Sequence, residues 1–337
     1  MTTLTITNKP VGPIGFGLMG FTWRPTITPD TQAFSTMRAA LSSGSNFWNS
    51  GEFYGNPPDP TTNLSLLNRY FTAYPEDAEK VVLSIKGGID IPTFQPRGDA
   101  EGVRKSVDNV LRILDGKKFV DIFECARVDK NVPIEETIET LAEYVKAGKI
   151  GGIGLSEASA ATIRRAHKVH PIAAVEVEVS MWSTEIFTPG GVADTCFELG
   201  IPIVAYSPLG RGFLTGALKR YEDIPEGDFR RNFDRFQPEN FGKNLEIVEA
   251  IRKVAEKKGD GVTLAQLCLA WVRSKGNKEG RPTIIPIPGA TTRERVEENC
   301  RLVSVTDEEM REVDAIIESV EIIGGRYNSH AASHLMV

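Results

Sequence analysis

The chain has 337 residues, 41% hydrophobic and 25% charged, and its 39 basic against 45 acidic side chains leave a net charge of −6. That is the composition of an ordinary globular protein, and its mildly acidic balance argues against a general nucleic-acid binder. No signal peptide opens the chain and no apolar run approaches the ~20 residues of a membrane span. Its four cysteines (Cys125, Cys196, Cys268, Cys300) lack both CxxC pairing and metal spacing, so the expectation is a cytoplasmic protein without a metal site.

In chain order, Thr2 to Val11 alternates and turns at Asn8-Lys9, which predicts a short hairpin. Pro13 to Gly17 predicts a buried strand entering the loop Gly17-Leu18-Met19-Gly20. No helix follows that loop directly, so it is a poor dinucleotide fingerprint. From Asp30 onward Phe34, Met37 and Leu41 fall on one helical face. Strands are predicted near 45–48, 81–86, 119–124, 149–154, 173–177, 201–205 and 282–286, with helices near 30–43, 62–71, 99–114, 135–147, 158–168, 191–199, 243–258 and 292–300. Thr263 to Ser274 and Asp307 to Ile317 read as two extra helices.

Eight strands, each answered by a helix, predict one α/β domain over residues 1–337, a (β/α)8 TIM barrel. The rival doubly wound sheet needs a helix straight after the first strand, whereas about a dozen loop residues intervene here. The loop from Ser207 to Gly242, rich in Gly, Arg and Phe, reads as a lid or cofactor clasp, and the polar tail after Val320 as a segment folding back over the barrel mouth.

Active groups in such a barrel come from the carboxyl ends of its strands. That rule alone gathers Trp23, Asn49, Tyr54, Lys86, Ala126, Ser156, Glu157, Glu176, Tyr206, Ser207 and the loop after Pro286 at one mouth. Tyr54 closes the stretch Ser45 to Gly55, and Lys86 closes the next strand, so the two are expected to touch. An ammonium beside a phenol favours phenolate and lowers its pKa. A tyrosine so tuned can hand a proton to a carbonyl oxygen.

Several segments, in order along nearly the whole chain, resemble those of the aldo-keto reductase superfamily. Asn49-Ser50-Gly51-Glu52-Phe53-Tyr54-Gly55 is similar to its "DTAxxYG" motif, Ser84-Ile85-Lys86 to its lysine strand, and Gly154-Leu155-Ser156-Glu157 to its "GLSE" strand end. Ala205 to Gly212 and Ile287 to Asn299 resemble its two cofactor segments. The family's catalytic aspartate is replaced by Asn49, and the histidine of its "LHRxD" by Ala126 in Cys125-Ala126-Arg127-Val128-Asp129; the tail histidines His330 and His334 are candidates to swing in for the latter. Asn49, this "CARVD" segment and Asn56-Pro57-Pro58 resemble the fungal-type pyridoxal reductase branch.

The resemblance implies NADPH-dependent hydride transfer to an aldehyde, pyridoxal first, with Tyr54 as the acid, Lys86 tuning it, and Asn49 on Lys86 or the ribose. Ser156 and Glu176 would hold the carboxamide and Tyr206 would stack on the nicotinamide, with Ser207, Leu209 and Arg211 along the pyrophosphate. Gly289, Thr291, Thr292 and Arg295 would form a 2′-phosphate pocket, since free N–H groups at a helix start and arginine forks both grip phosphate. The same turn also reads as a solvated one carrying an Arg293–Glu297 pair. Glu298 and Asn299 would meet the adenine, and Trp23, Ala126, Arg127 and Trp182 would line the substrate slot. The protein is expected to be a monomer or weak homo-oligomer. Two alternatives stay open: a reductase of another aromatic or secondary-metabolite carbonyl, and an NADPH-sensing regulatory barrel like those seated on potassium channels.

Overall fold

The computed structural model describes residues 4–259, 261–328 and 332–337; His330 lies outside them. Eight strands form one parallel sheet: β1 (Phe16–Gly17), β2 (Phe47–Gly51), β3 (Val82–Gly87), β4 (Ile122–Cys125), β5 (Ile153–Ser156), β6 (Ile172–Glu178), β7 (Ile203–Tyr206) and β8 (Ile284–Pro286). Each pairs with the next, and Gly15 N and Gly17 N donate to the carbonyls of Pro286 and Pro288 at 2.9 and 3.3 Å, which closes the (β/α)8 barrel expected from the sequence.

Around it run α1 (Asp30–Ser42), α2 (Thr62–Ala73), α3 (Ala100–Leu114), α4 (Ile134–Lys146), α5 (Ala160–Val169), α6 (Val192–Glu198), α7 (Pro238–Lys258), α8 (Leu264–Ser274), α9 (Arg293–Cys300) and α10 (Asp307–Ser319). Their starts follow local chemistry. Asp99 accepts from Gly102 N at the head of α3, while Thr263 with Gln266 and Thr306 with Glu309 form capping boxes on α8 and α10. On α3, Val103, Val107, Val110 and Leu114 recur at helical spacing and are buried.

The pleat sets what fills the barrel. Side chains two apart on a strand share a face, so Phe47, Val82, Ile122, Ala174, Val204 and Ile285 make one apolar interior layer. Ile6 and Val11, from the N-terminal hairpin and the residue just after it, pack on this layer from below. Two residues further along the same strands stand Asn49, Ser84, Glu124 and Glu176, and then Lys86 and Glu178, all buried. The apolar layer thus floors a polar one that opens toward the strand ends.

Three local expectations change. The hairpin turns at Thr7 and Asn8, both with positive φ, one residue earlier than predicted, because that register pairs Ile6 with Lys9 and leaves Ile6 facing inward. Helix α7 begins at Pro238 rather than near 243, since proline is well placed in a first turn. The stretch from Ser207 is not one open loop but a run of 3-10 turns at 210–215, 221–223, 229–232 and 234–236. The tail does return to the mouth. Ile323 N donates to Asn244 Oδ1 at 2.8 Å, and Ser159 N donates to Val337 O at 2.9 Å, beside the end of β5. Among the described residues no helix is long and apolar enough to cross a membrane.

Candidate active site

Tyr54 follows β2 by three residues, and its ring lies over Gly51: a Cβ there would fall 2.9 Å from Tyr54 Cδ1. Gly51 is the register partner of Lys86 on β3. Thr22 Oγ1 donates to Tyr54 O at 2.5 Å and accepts from Asn63 Nδ2 at 2.7 Å, so the loop is tied to the 3-10 turn after β1 and to α2. Aromatic rings roof the phenol. Trp23 stacks on Tyr54 (5.6 Å between centroids, 27° between planes), on Phe94 (6.0 Å, 11°) and on Phe229 (6.1 Å, 25°), with Phe53 edge-on at 5.9 Å.

Lys86 is 5% exposed and surrounded by acceptors. Its Nζ lies 3.3 Å from Glu124 Oε1 and 3.2 Å from Asn49 Oδ1, and it also pairs with Glu176 Oε1. Asn49 Nδ2 donates to Glu176 Oε2 at 2.6 Å and to Glu124 Oε1 at 3.3 Å. Burial alone would depress the lysine, but Glu124 and Glu176 outweigh it and hold Lys86 well above its usual range. Glu176 is pushed well above the carboxylate range, first by burial and, against the pull of Lys86, by the charge of Glu124.

The phenol does not behave as expected from the strand ends. Lys86 is the strongest charge acting on Tyr54 and lowers its pKa, but burial is larger and Glu176 and Glu124 oppose Lys86, so Tyr54 is pushed up to about 12. No Tyr54–Lys86 hydrogen bond stands among those of the described residues. Lys86 is already engaged: it donates to Asn49 Oδ1 and forms ion pairs with Glu124 and Glu176. The two side chains share the mouth, and their coupling runs through space.

A second charged cluster closes the opposite side. Glu157, at positive φ just after β5, is fully buried and takes both arms of Arg326 at 2.9 and 3.0 Å, plus Tyr206 O–H at 2.8 Å. Tyr206 Oη and Tyr327 Oη are 3.0 Å apart, so the tail covers the tyrosine at the end of β7. Arg211 is directed inward: it donates to Glu178 Oε2 at 3.0 Å and lies between the rings of Phe233 and Tyr327, 4.6 Å from each centroid. Its guanidinium is therefore committed to a buried carboxylate rather than held out for pyrophosphate. Ser207 and Leu209 belong to the same turn, with Ser207 at φ 50°.

Trp182, expected in the substrate slot, is 4% exposed and stacks on Phe213 at 4.8 Å beneath the 210–215 turns, which is core packing. Glu176 is engaged by Lys86 and Asn49 rather than open toward a carboxamide. Its register partner Ser156 differs: the buried Ser156 Oγ has no hydrogen-bond partner among the described residues, which leaves a polar atom for a ligand's amide to meet. Ala126 and Arg127 lie at the end of β4. Arg127 Nη1 donates to Ala126 O at 2.5 Å, Arg127 Nη2 reaches Tyr327 Oη at 3.5 Å, and no ion pair holds this guanidinium among the described residues.

At α9, Thr292 Oγ1 caps Arg295 N at 3.5 Å, and Arg293 pairs with Glu297 at 2.7 Å, the solvated arrangement also considered from the sequence. Thr291 follows Ala290 and Gly289, and Gln32 holds its carbonyl at 2.7 Å. Arg295 is exposed with no ion pair among the described residues, Glu298 is half-buried and Asn299 is buried. A free guanidinium at a helix start, together with the orphaned Ser156 hydroxyl, fits a dinucleotide carrying a phosphate at one end and an amide at the other.

Sequence reasoning gave no role to Glu124, Glu178, Arg326, Tyr327, Phe94 or Phe229. The first two carried a readable signal, because a glutamate on the inward face of an otherwise apolar strand must be paired.

The closed parallel barrel sets a buried lysine and a tyrosine at its strand ends, and the Aldo/keto reductase family model, that of a family of oxidoreductases, matches residues 13–318. The chain belongs to that family, whose chemistry uses a nicotinamide cofactor. It is 47% identical over 333 residues to the "Probable pyridoxal reductase 2" of Schizosaccharomyces pombe, covering 97% of this chain and 98% of that one. It is 40% identical to the "Putative pyridoxal reductase" of Saccharomyces cerevisiae, covering 93% and 95%. Identity is 39% to an S. pombe aldo-keto reductase whose name specifies NADP(+), covering 99% and 97%. A glycerol dehydrogenase from Gluconobacter oxydans shares the fold, with TM-score 0.78, 23% identity, and 96% and 97% of the two chains covered.

Proposed function

We propose that the protein reduces an aldehyde to a primary alcohol with NADPH, that pyridoxal is the aldehyde, and that Tyr54 is the proton donor. The observation that carries this reading is the cluster in which the Tyr54 phenol stacks on Trp23 and lies in the field of Lys86. A planar aromatic aldehyde fits beside stacked rings, and two of the relatives are named for pyridoxal.

When bound, NADPH supplies the hydride; Ser156 would receive its amide, and the first turn of α9 with Arg295 its 2′-phosphate. The chain's own residues handle the proton. Tyr54, neutral because burial raises its pKa, presents O–H to the aldehyde oxygen. Charge that develops on that oxygen, and then on the phenol, falls in the positive field of Lys86 and of Arg127. The Trp23, Phe53 and Phe94 rings exclude water from the reacting face. Arg127, with no ion pair among the described residues, adjoins Ala126, where the family histidine is missing, and can meet the ring hydroxyl of an aromatic hydroxy-aldehyde.

Steady-state oxidation of NADPH over a panel of aldehydes, with NADH in parallel, tests the reading. Pyridoxal should lead the panel. Tight NADPH binding with negligible turnover of every aldehyde would leave only a cofactor-binding role.

A further inference from the structure

Glu124 has no part in the reaction as read above, yet it is 2% exposed at the centre of the barrel. It sits on β4 two residues beyond Ile122, so the pleat that turns Ile122 into the apolar floor also turns Glu124 toward the axis. Room for it is made by the neighbouring strand. A Cβ at Gly154 would lie 3.0 Å from Glu124 Cβ and 3.2 Å from Glu124 Oε2, closer than ordinary contact. An ionisable group given such a berth needs partners. Glu124 Oε1 has three: Lys86 Nζ at 3.3 Å, Asn49 Nδ2 at 3.3 Å and Ser84 Oγ at 3.5 Å.

We propose that Glu124, facing Glu176 across the barrel interior, is a positioning residue for Lys86: the two carboxyl groups and the Asn49 carbonyl take the three ammonium hydrogens and fix the charge at the depth from which it acts on Tyr54. Asn49 alone is neutral and supplies one acceptor, so it cannot counter the lysine. Its amide nitrogen instead donates to both carboxyl groups and locks them around the ammonium. The groups that face Lys86 are Glu124 from β4, Glu176 from β6 and Tyr54 from the loop after β2; those that face Tyr54 are Lys86, Glu176, Glu124 and Arg127. Burial is the main cause of the upward shift of Tyr54; Glu176 and Glu124 add to it and oppose Lys86 at the phenol.

The inference rests on the reading of Tyr54 and Lys86 as the proton-handling pair, so its test has one arm that needs no turnover. In the cofactor-free full chain, phenolate absorbance is titrated for wild type and for Glu124→Gln, each against the same chain carrying Tyr54→Phe. Removing one negative charge should lower the Tyr54 midpoint by about one pH unit. An extra phenolate then appears by about pH 11 in Glu124→Gln, absent from wild type. In the second arm, Glu124→Ala should cut kcat roughly tenfold or more with KM for the aldehyde within about threefold, and Glu124→Gln, which keeps an oxygen for Lys86, should recover most of kcat. An unmoved Tyr54 titration in Glu124→Gln would overturn the proposal, whether or not Glu124→Ala folds. So would a folded Glu124→Ala with wild-type kcat, or alanine and glutamine variants equal in kcat. If no aldehyde is turned over by wild type while the titration shifts as described, the placement of Lys86 stands and the reductase reading is what fails.

Discussion

Arg326→Ala removes the guanidinium that grips Glu157 with both arms, at 2.9 and 3.0 Å, while leaving the carboxylate fully buried. Two weaker partners survive, Tyr206 O–H at 2.8 Å and Glu178 N at 3.1 Å, and Glu178 itself retains Arg211 at 3.0 Å. Breaking a buried pair by deleting one partner costs about 3–5 kcal/mol, and the surviving donors put this case at the lower end, about 3 kcal/mol. The loss must depend on pH. In wild type, burial pushes Glu157 upward but Arg326 outweighs it, so the carboxyl titrates below its ordinary range. A depressed folded pKa gives stability that is complete above the unfolded value of ~4.3 and is lost as pH falls through the folded value. Without Arg326 the upward push of burial is opposed only by the weaker pull of Arg127 and the Tyr206 hydrogen bond, and the variant takes up a proton sooner. Urea unfolding of both chains at about pH 8 and about pH 4 should therefore show the full difference at the higher pH and well under half of it at the lower. A difference below about 1 kcal/mol at pH 8, or the same difference at both pH values, would refute the reasoning.

Tyr54→Phe deletes only an oxygen and should leave unfolding within about 1 kcal/mol of wild type while cutting aldehyde reduction ~10²–10⁴-fold, read by NADPH oxidation; retained rate would remove Tyr54 as the acid. With Tyr54 pushed up to about 12, the phenol stays protonated, so kcat/KM for reduction should show no falling limb from this group below roughly pH 11, while alcohol oxidation, which needs the phenolate, should rise with pH over the same range. A reduction profile that falls with a midpoint near neutral pH contradicts that assignment. Arg295→Ala should weaken NADPH roughly tenfold or more and NADH hardly at all, measured by fluorescence titration; equal losses would take the 2′-phosphate away from α9. Gly154→Ala crowds Ile122 Cγ2 at 2.9 Å and Glu124 Oε2 at 3.2 Å and should cost about 1–3 kcal/mol in urea unfolding, whereas Gly242→Ala, where a Cβ meets nothing within 4 Å, should cost nothing measurable.

The barrel was legible because its strands are short apolar runs that alternate with amphipathic helices, and a parallel sheet tolerates few other readings of that rhythm. Strand ends then located Tyr54, Lys86, Asn49 and Ser156 at one mouth without any knowledge of side-chain direction. What strand ends could not supply was the balance of opposing effects on a buried group. The expectation that Lys86 would make Tyr54 acidic counted one charge and omitted the larger desolvation and the two glutamates. Arg211 was misjudged for a related reason: its loop invites a reading at the surface, whereas Glu178, two residues beyond Glu176 on the same inward face, draws it inside. Arg326 and Tyr327 are more than a hundred residues from their partners in the chain, and no local pattern reports a contact of that kind.

The hairpin residue Ile6, with Val11 just after it, seals the lower end of the barrel. Among the described residues that end is filled by apolar side chains, so the polar groups of the next layer are left to face the strand ends alone. Whatever meets Lys86 or Glu176 has to come from that one side.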